Sequence, residues 1–247
     1  MTLEESKNLL KTKGYTHFDL KDFNKEQYDT LLPFKCNETN NLKRLIKGVR
    51  ADIAGSNNLP EFKIRVSKEF DSIEEAIDVK EEILKNYLEN KKKEEYPKEG
   101  FGQLYYQSSF GGIFSKVTND DGDKNWQLYL DIVDDIVKYY YDLDESVTFD
   151  YITSATYYDN GCFLTKHSDG TATGRICALL IYLNEEYNEN DGGILILNNE
   201  EKIIPTFGKF AIIDLQSFDV PHEVTEVTGG IGRYAVLSFV SKKKKLP

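Results

Sequence analysis

His167, Ser168 and Asp169 form a His-x-Asp tripeptide, His222 lies further along the chain, and Arg233 follows it. The chain has three histidines, and two of them fall in this pattern. Two imidazoles and one carboxylate on one face of an octahedron leave the other face open. A divalent metal such as Fe(II) held this way has room for a cosubstrate and dioxygen together. The donor set therefore points to an oxidative enzyme. A His-x-Asp pair alone is also an ordinary surface pair; the distal histidine and the arginine after it give the pattern its weight.

The elements around these residues must bring them together. His167 ends an apolar run, Cys162-Phe163-Leu164-Thr165-Lys166, and Asp169 comes just before the turn at Gly170. Side chains at i and i+2 share a face of a strand, so both should sit near one pole of it. His222 follows Pro221 and opens Glu223-Val224-Thr225, which as a strand would carry its imidazole across to the first pair. Arg233 opens the alternating segment Tyr234–Phe239. A guanidinium in that setting needs an acceptor. That acceptor is either one of the 42 acidic side chains or the distal carboxylate of a bound dicarboxylate, gripped bidentately.

From Val147 onward, short β-prone segments alternate with turn residues. They are 147–158, 163–167, 175–183, 193–197, 203–205, 209–215, 222–227 and 233–241. That texture predicts a sandwich or jelly roll whose two sheets enclose a site. The first 145 or so residues read as mostly helical. Leu3–Lys13 is amphipathic and ends at Gly14, and Tyr15–Leu20 is a candidate strand. Asp22 is the expected cap of a helix reaching about Lys35. Phe62–Val66 alternates as a strand does, and Ser72 caps a helix to about Asn90. Lys91–Gly102 reads as loop, and Phe110-Gly111-Gly112 and Asn119–Gly122 bound an irregular stretch. Trp126–Leu143 returns to helical periodicity. The organisation expected is an α+β chain of one structural domain: residues 1–145 a mainly helical region packed on the core, 146–241 the β core, and 242–247 a basic, solvated tail.

Composition narrows the function classes. The net charge of −11 argues against a nonspecific nucleic-acid binder. No apolar run reaches the ~18 residues of a membrane span, and the acidic N-terminus is unlike a signal peptide. Cys36, Cys162 and Cys177 are too few and too scattered for a disulfide framework. A cytoplasmic protein, with neither nucleic acid nor membrane as partner, is the expectation.

Residues 147–241 resemble the Fe(II)- and 2-oxoglutarate-dependent dioxygenases, in particular their prolyl 4-hydroxylase-like branch. The resemblance rests on Tyr157–Asp169, Leu180-Ile181-Tyr182-Leu183-Asn184, Asp191-Gly192-Gly193-Ile194-Leu195, Pro221-His222-Glu223-Val224 and Arg233-Tyr234-Ala235, in that order. It implies a double-stranded β-helix (jelly roll) core buttressed by the N-terminal helices. It also implies Fe(II) on His167, Asp169 and His222. Arg233, helped by Tyr182, would take the distal carboxylate of 2-oxoglutarate, and Tyr157 would line the same pocket. Where the family has a tyrosine near the first histidine, this chain has Leu164. The chemistry implied is hydroxylation of an unactivated C–H bond, with O2 and 2-oxoglutarate consumed and succinate and CO2 released, and with ascorbate as a supporting reductant. Retention of Asp169 favours hydroxylation over halogenation. Prolyl residues of a peptide or protein are the first substrate the resemblance implies; a free amino acid or small metabolite is the second. The nucleobase branch carries a further arginine after the cosubstrate arginine, whereas Arg233 is the last in this chain. An inactive cupin-like binding module is the competing reading from another class.

Overall fold

The computed structural model describes residues 1–37, 42–54, 63–91, 102–118, 123–171 and 174–243. The chain opens with helix α1 (Leu3–Lys13), strand β1 (Tyr15–Asp19) and short helices α2 (Leu20–Phe23) and α3 (Lys25–Thr30). Strands β2 (Gly48–Ala54) and β3 (Lys63–Glu69) precede helix α4 (Ile73–Lys91). Strand β4 (Gly102–Ser109) leads into helices α5 (Phe110–Thr118) and α6 (Asp123–Tyr141). The remainder is β5 (Phe149–Tyr158), β6 (Phe163–His167), β7 (Arg175–Tyr182), β8 (Leu195–Leu197), β9 (Glu201–Ile203), β10 (Lys209–Asp214), β11 (His222–Val224) and β12 (Arg233–Lys242). All eight strands expected after Val147 are present as β5–β12, with ends shifted by a few residues.

Local signals explain several boundaries. Thr2 and Glu5 cap α1 reciprocally, and Gly14, at φ 78°, closes it in the left-handed conformation that glycine adopts without steric cost. The Ser72 hydroxyl accepts from the Glu75 amide at the start of α4, as expected of an N-cap. The cap expected at Asp22 is instead Asn24. Its side chain accepts from the amides of Glu26 and Gln27, and its extended backbone separates α2 from α3. Pro33 then sits in a separate 3-10 turn, Leu32–Phe34. The stretch after Phe110 forms α5 rather than irregular chain. Phe110 is buried edge-on against Trp126 and Tyr129 of α6, packing that outweighs the low helix propensity of its glycines. The segments at 92–101 and 119–122 and the end of the basic tail lie outside the described residues, while Lys242 itself is the last residue of β12.

The strands join into one antiparallel sheet in the order β1-β10-β7-β12-β5-β4-β6-β11-β8-β9, with β2 and β3 added through β4. Two strands from the first 145 residues thus enter this path. β1 pairs with β10, and β4 pairs both with β5 and with β6. The sheet curls so that β5, β7 and β12 on one side and β6, β8 and β11 on the other line a common cavity. Helix α6 packs on the outside with Ile132, Val133, Ile136, Val137 and Tyr140 buried, and the Tyr140 phenol meets Ser6 of α1.

Asp134 lies on the same helix and gives a stability prediction. Burial pushes its pKa up to about 6, and its Oδ1 has no partner. A carboxyl raised in the folded state stabilises the fold when protonated, and that contribution is lost as pH rises from ~4 through about 6. Asp134→Asn should therefore raise the melting temperature at pH 7–8 and lose that advantage towards pH 4. An unchanged difference across that range would show that Asp134 does not titrate as its surroundings imply.

Candidate functional site

The pairing of β6 with β11 places His167 directly opposite His222. Their rings lie 4.3 Å apart between centroids. Asp169 follows the end of β6, just before the turn at Gly170, and its carboxylate lies beside both rings. Its Oδ1 is 3.7 Å from His167 Nε2 and its Oδ2 3.9 Å from His222 Nε2. One ligand atom from each of the three residues falls within 4.8 Å of the others. The expected cluster is therefore assembled, from a strand end, a turn and a second strand.

Backbone carbonyls fix which nitrogen of each ring is available. His167 Nδ1 lies 2.9 Å from the Thr165 carbonyl, and His222 Nδ1 lies 3.0 Å from that of Val220. A carbonyl only accepts, so each Nδ1 carries the proton and each Nε2 keeps its lone pair towards Asp169. Burial and the neighbouring His167 charge hold the pKa of His222 below the ordinary value. Burial also opposes charge on His167, but the Asp169 carboxylate and the Thr165 carbonyl outweigh it and raise its pKa. Burial works against the Asp169 charge too, yet the two imidazoles keep its pKa low. Two imidazole nitrogens and an ionised carboxylate oxygen make a borderline set that fits Fe(II).

Arg233, the first residue of β12, is 1% exposed. Its guanidinium carbon lies 4.8 Å from the Tyr158 ring and 5.1 Å from the Tyr182 ring. Nε and Nη2 have no hydrogen-bond partner, and no described carboxylate lies within salt-bridge distance. The structural salt bridge that could have explained this residue is absent among the described residues. The Tyr182 hydroxyl, fully buried on the adjoining strand β7, also has no partner. Asn184 holds the backbone on either side of Arg233: its amide donates to the Gly232 carbonyl at 2.7 Å and accepts from the Tyr234 amide at 2.8 Å. A buried guanidinium with Nε and Nη2 free, on a backbone fixed by Asn184 and facing the buried phenol of Tyr182, fits a dicarboxylate bound between Arg233 and the metal cluster.

Tyr157 requires a correction. Successive side chains on β5 alternate between faces, and Tyr158 pairs across to Arg233 and lines the cavity. Tyr157 points to the other face, packed on Tyr234 at 4.5 Å and on Tyr106 at 5.5 Å. The pocket tyrosine on this strand is thus Tyr158, stacked on Tyr105 of β4. The phase of the alternation could have been taken from Arg233, had the pairing of β5 with β12 been known.

The cavity holds about 300 Å³. Leu164, Leu180, Leu195, Val224 and Leu237 give it apolar walls. Sequence reasoning missed Arg50, Gln103, Gln107 and Arg175, which also line it. Arg175 is braced over the Phe239 ring at 3.9 Å. Three of these four come from β2 and β4, strands that carried no recognisable motif.

Residues 153–241 match the family model described as the 2OG-Fe(II) oxygenase superfamily. Among solved structures, a prolyl-4-hydroxylase from Pseudomonas putida is similar over 98% of this chain and 100% of its own, at 14% identity and a TM-score of 0.51. A prolyl hydroxylase from Trichoplax adhaerens, solved in complex with a hypoxia inducible factor oxygen degradation domain peptide fragment, is similar over 96% of this chain and 88% of its own, at 14% identity and a TM-score of 0.49. No curated protein matches the sequence. The core is a double-stranded β-helix. The matched segment is a 2OG-Fe(II) oxygenase domain, of the enzyme class of 2-oxoglutarate-dependent dioxygenases, which uses Fe(II), 2-oxoglutarate and O2. No helix among the described residues is long and apolar enough to cross a membrane.

Proposed function

We propose that this enzyme hydroxylates a prolyl residue in a peptide or protein, with Fe(II) on His167, Asp169 and His222 and the distal carboxylate of 2-oxoglutarate on Arg233 and Tyr182. The observation that carries the site assignment is the unpaired guanidinium of Arg233, sealed in the same cavity as a His-Asp-His cluster. A buried cation without a counter-ion is costly, and an anionic ligand removes that cost. When bound, iron and 2-oxoglutarate supply the activation of dioxygen and the oxidation of a C–H bond. The chain supplies placement and exclusion of water. The Thr165 and Val220 carbonyls orient the two imidazoles, Asn184 fixes Arg233, and the leucine walls keep the reacting end dry.

A fold shared with a prolyl-4-hydroxylase supports the prolyl substrate. Arg50 and Arg175 in the cavity wall support a substrate with a carboxylate near the reacting carbon, in a protein whose net charge is −11. The three free, buried cysteines support a reducing, cytosolic compartment. The test is a screen of proline-containing peptides, free proline and other amino acids with Fe(II), ascorbate and 2-oxoglutarate, read by mass spectrometry for gain of one oxygen. Proline in an acidic peptide should gain oxygen fastest. Gain of oxygen on free amino acids alone would replace the peptide reading by the small-molecule one. No succinate with any substrate or without one would indicate a binding module.

A further inference from the structure

Gln103 of β4 lines the cavity that holds the metal cluster. It is 5% exposed, yet no hydrogen bond reaches its carboxamide among the described residues. Its amide atoms are not sealed off as Gln107 Oε1 is, so they touch open space, and the space that Gln103 lines is the cavity. The backbone behind it is held on both edges. Gln103 pairs with Leu164 of β6 on one side and with Asp52 of β2 on the other. The Gly102 amide donates to Thr165 Oγ1 at 2.7 Å. Gln103 is thus tied to the strand that ends at His167.

Arg50 of β2 lines the same cavity and stands opposite Tyr105. Tyr105 is the next residue on β4 to share a face with Gln103. Arg50 and Gln103 are therefore diagonal neighbours on adjoining strands, roughly 7 Å apart. Arg50 also forms no hydrogen bond or ion pair among the described residues. A carboxamide and a guanidinium, each without a protein partner, thus stand side by side on one wall. Neither belongs to the metal cluster or to the Arg233 end of the cavity.

We infer that Gln103 and Arg50 read the substrate: Gln103 takes a peptide group beside the reacting residue, and Arg50 takes the carboxylate of a neighbouring acidic residue. A carboxamide carries an acceptor oxygen and two N–H donors, the complement of a peptide group with one N–H and one carbonyl. A guanidinium matches a carboxylate bidentately. Two residues of extended chain advance about 6.6 Å, close to the diagonal spacing, so one extended peptide can meet both side chains. A free amino acid could offer its carboxylate to Arg50 but has no peptide group for Gln103. The inference rests on the peptide reading of the proposed function and adds the residues that select the peptide.

The test uses the full chain loaded with Mn(II) and 2-oxoglutarate. It is titrated calorimetrically with two blocked peptides, acetyl-Ala-Asp-Pro-Asp-Ala-amide and acetyl-Ala-Asn-Pro-Asn-Ala-amide. Wild type should bind the Asp peptide roughly ten- to hundred-fold more tightly, the range for hydrogen bonds between charged groups. Arg50→Met should make the two peptides equal, and Arg50→Lys should keep part of the preference. Gln103→Leu should weaken both peptides by roughly five- to fifty-fold and leave their ratio unchanged. Affinity for 2-oxoglutarate should stay at the wild-type value in Gln103→Leu and Arg50→Met, and neither ligand-free variant should melt below wild type. Wild-type peptide binding in Gln103→Leu, a ratio unmoved by Arg50→Met, or a loss of melting temperature that accompanies weaker binding would overturn the inference. So would a wild type that binds neither peptide. The screen for gain of oxygen then separates the two levels. Oxygen on other proline peptides means that only Gln103 and Arg50 are misassigned; oxygen on free amino acids alone means that the peptide reading has failed as well.

Discussion

Asp169→Ala should strip the protein of iron and, with it, of nearly all 2-oxoglutarate turnover. Asp169 is the carboxylate of the cluster, within 3.9 Å of both imidazoles. Without it, two neutral histidines on neighbouring strands remain, with no anion to offset a divalent charge. Loss of groups that merely orient ligands costs about 10- to 100-fold in metal affinity. Removing the ligand itself should cost more than ~100-fold. Metal content after dialysis and succinate formation with ascorbate present measure the two losses separately. The fold should survive, because the Asp169 side chain is partly exposed and lies beyond the end of β6. A variant that keeps one equivalent of iron would mean that the third ligand is another group.

Arg233→Met should produce two effects of opposite sign. Cosubstrate affinity should fall by roughly 30- to 5,000-fold, because losing one partner of a buried charge pair costs about 2–5 kcal/mol. The ligand-free protein should melt at the same temperature or higher. Its arginine is 1% exposed with Nε and Nη2 unpaired, so an apolar chain of similar length removes an uncompensated cation. The stacking of the guanidinium on Tyr158 and Tyr182 is lost and offsets part of that gain. Wild-type protein should gain melting temperature on adding metal and 2-oxoglutarate, and the variant should not. A variant that melts well below wild type without ligand would show that Arg233 holds the barrel together rather than a ligand.

Legibility in the sequence depended on how local each signal was. His167 and Asp169 lie two residues apart at a strand end, so tripeptide and β texture together placed them correctly. His222 followed Pro221 into a strand, and the turn residues separated β5 to β12 well enough to find all eight. The strand β2 was missed although Val49-Arg50-Ala51-Asp52-Ile53 alternates and its partner β3 is the next strand of the chain. β4 was missed because Gln103-Leu104-Tyr105-Tyr106-Gln107 has no clean alternation: both its faces are buried, with β2 along one edge and β5 and β6 sharing the other. Tyr157 and Tyr158 show the same limit within a strand. Two adjacent tyrosines carry no phase, and only the pairing with β12 decides which one faces inward.

The placement of β1 against β10 also bears on how the chain reaches this state. Tyr15 pairs with Ile213, so β1 finds its neighbour only after β2 to β9 have been made. β4, by contrast, is complete before β5 and β6 emerge, and it can receive them as they appear. β4, β5 and β6 can thus pair during synthesis, while β1, with Tyr15 and Phe18 still uncovered, must wait for β10, and the two histidines meet later still, when β11 is made. Pairings this remote in sequence form slowly, and an unmatched strand invites association with other chains. Refolding from denaturant is therefore best done dilute, and the N-terminal strand is the segment most in need of a chaperone.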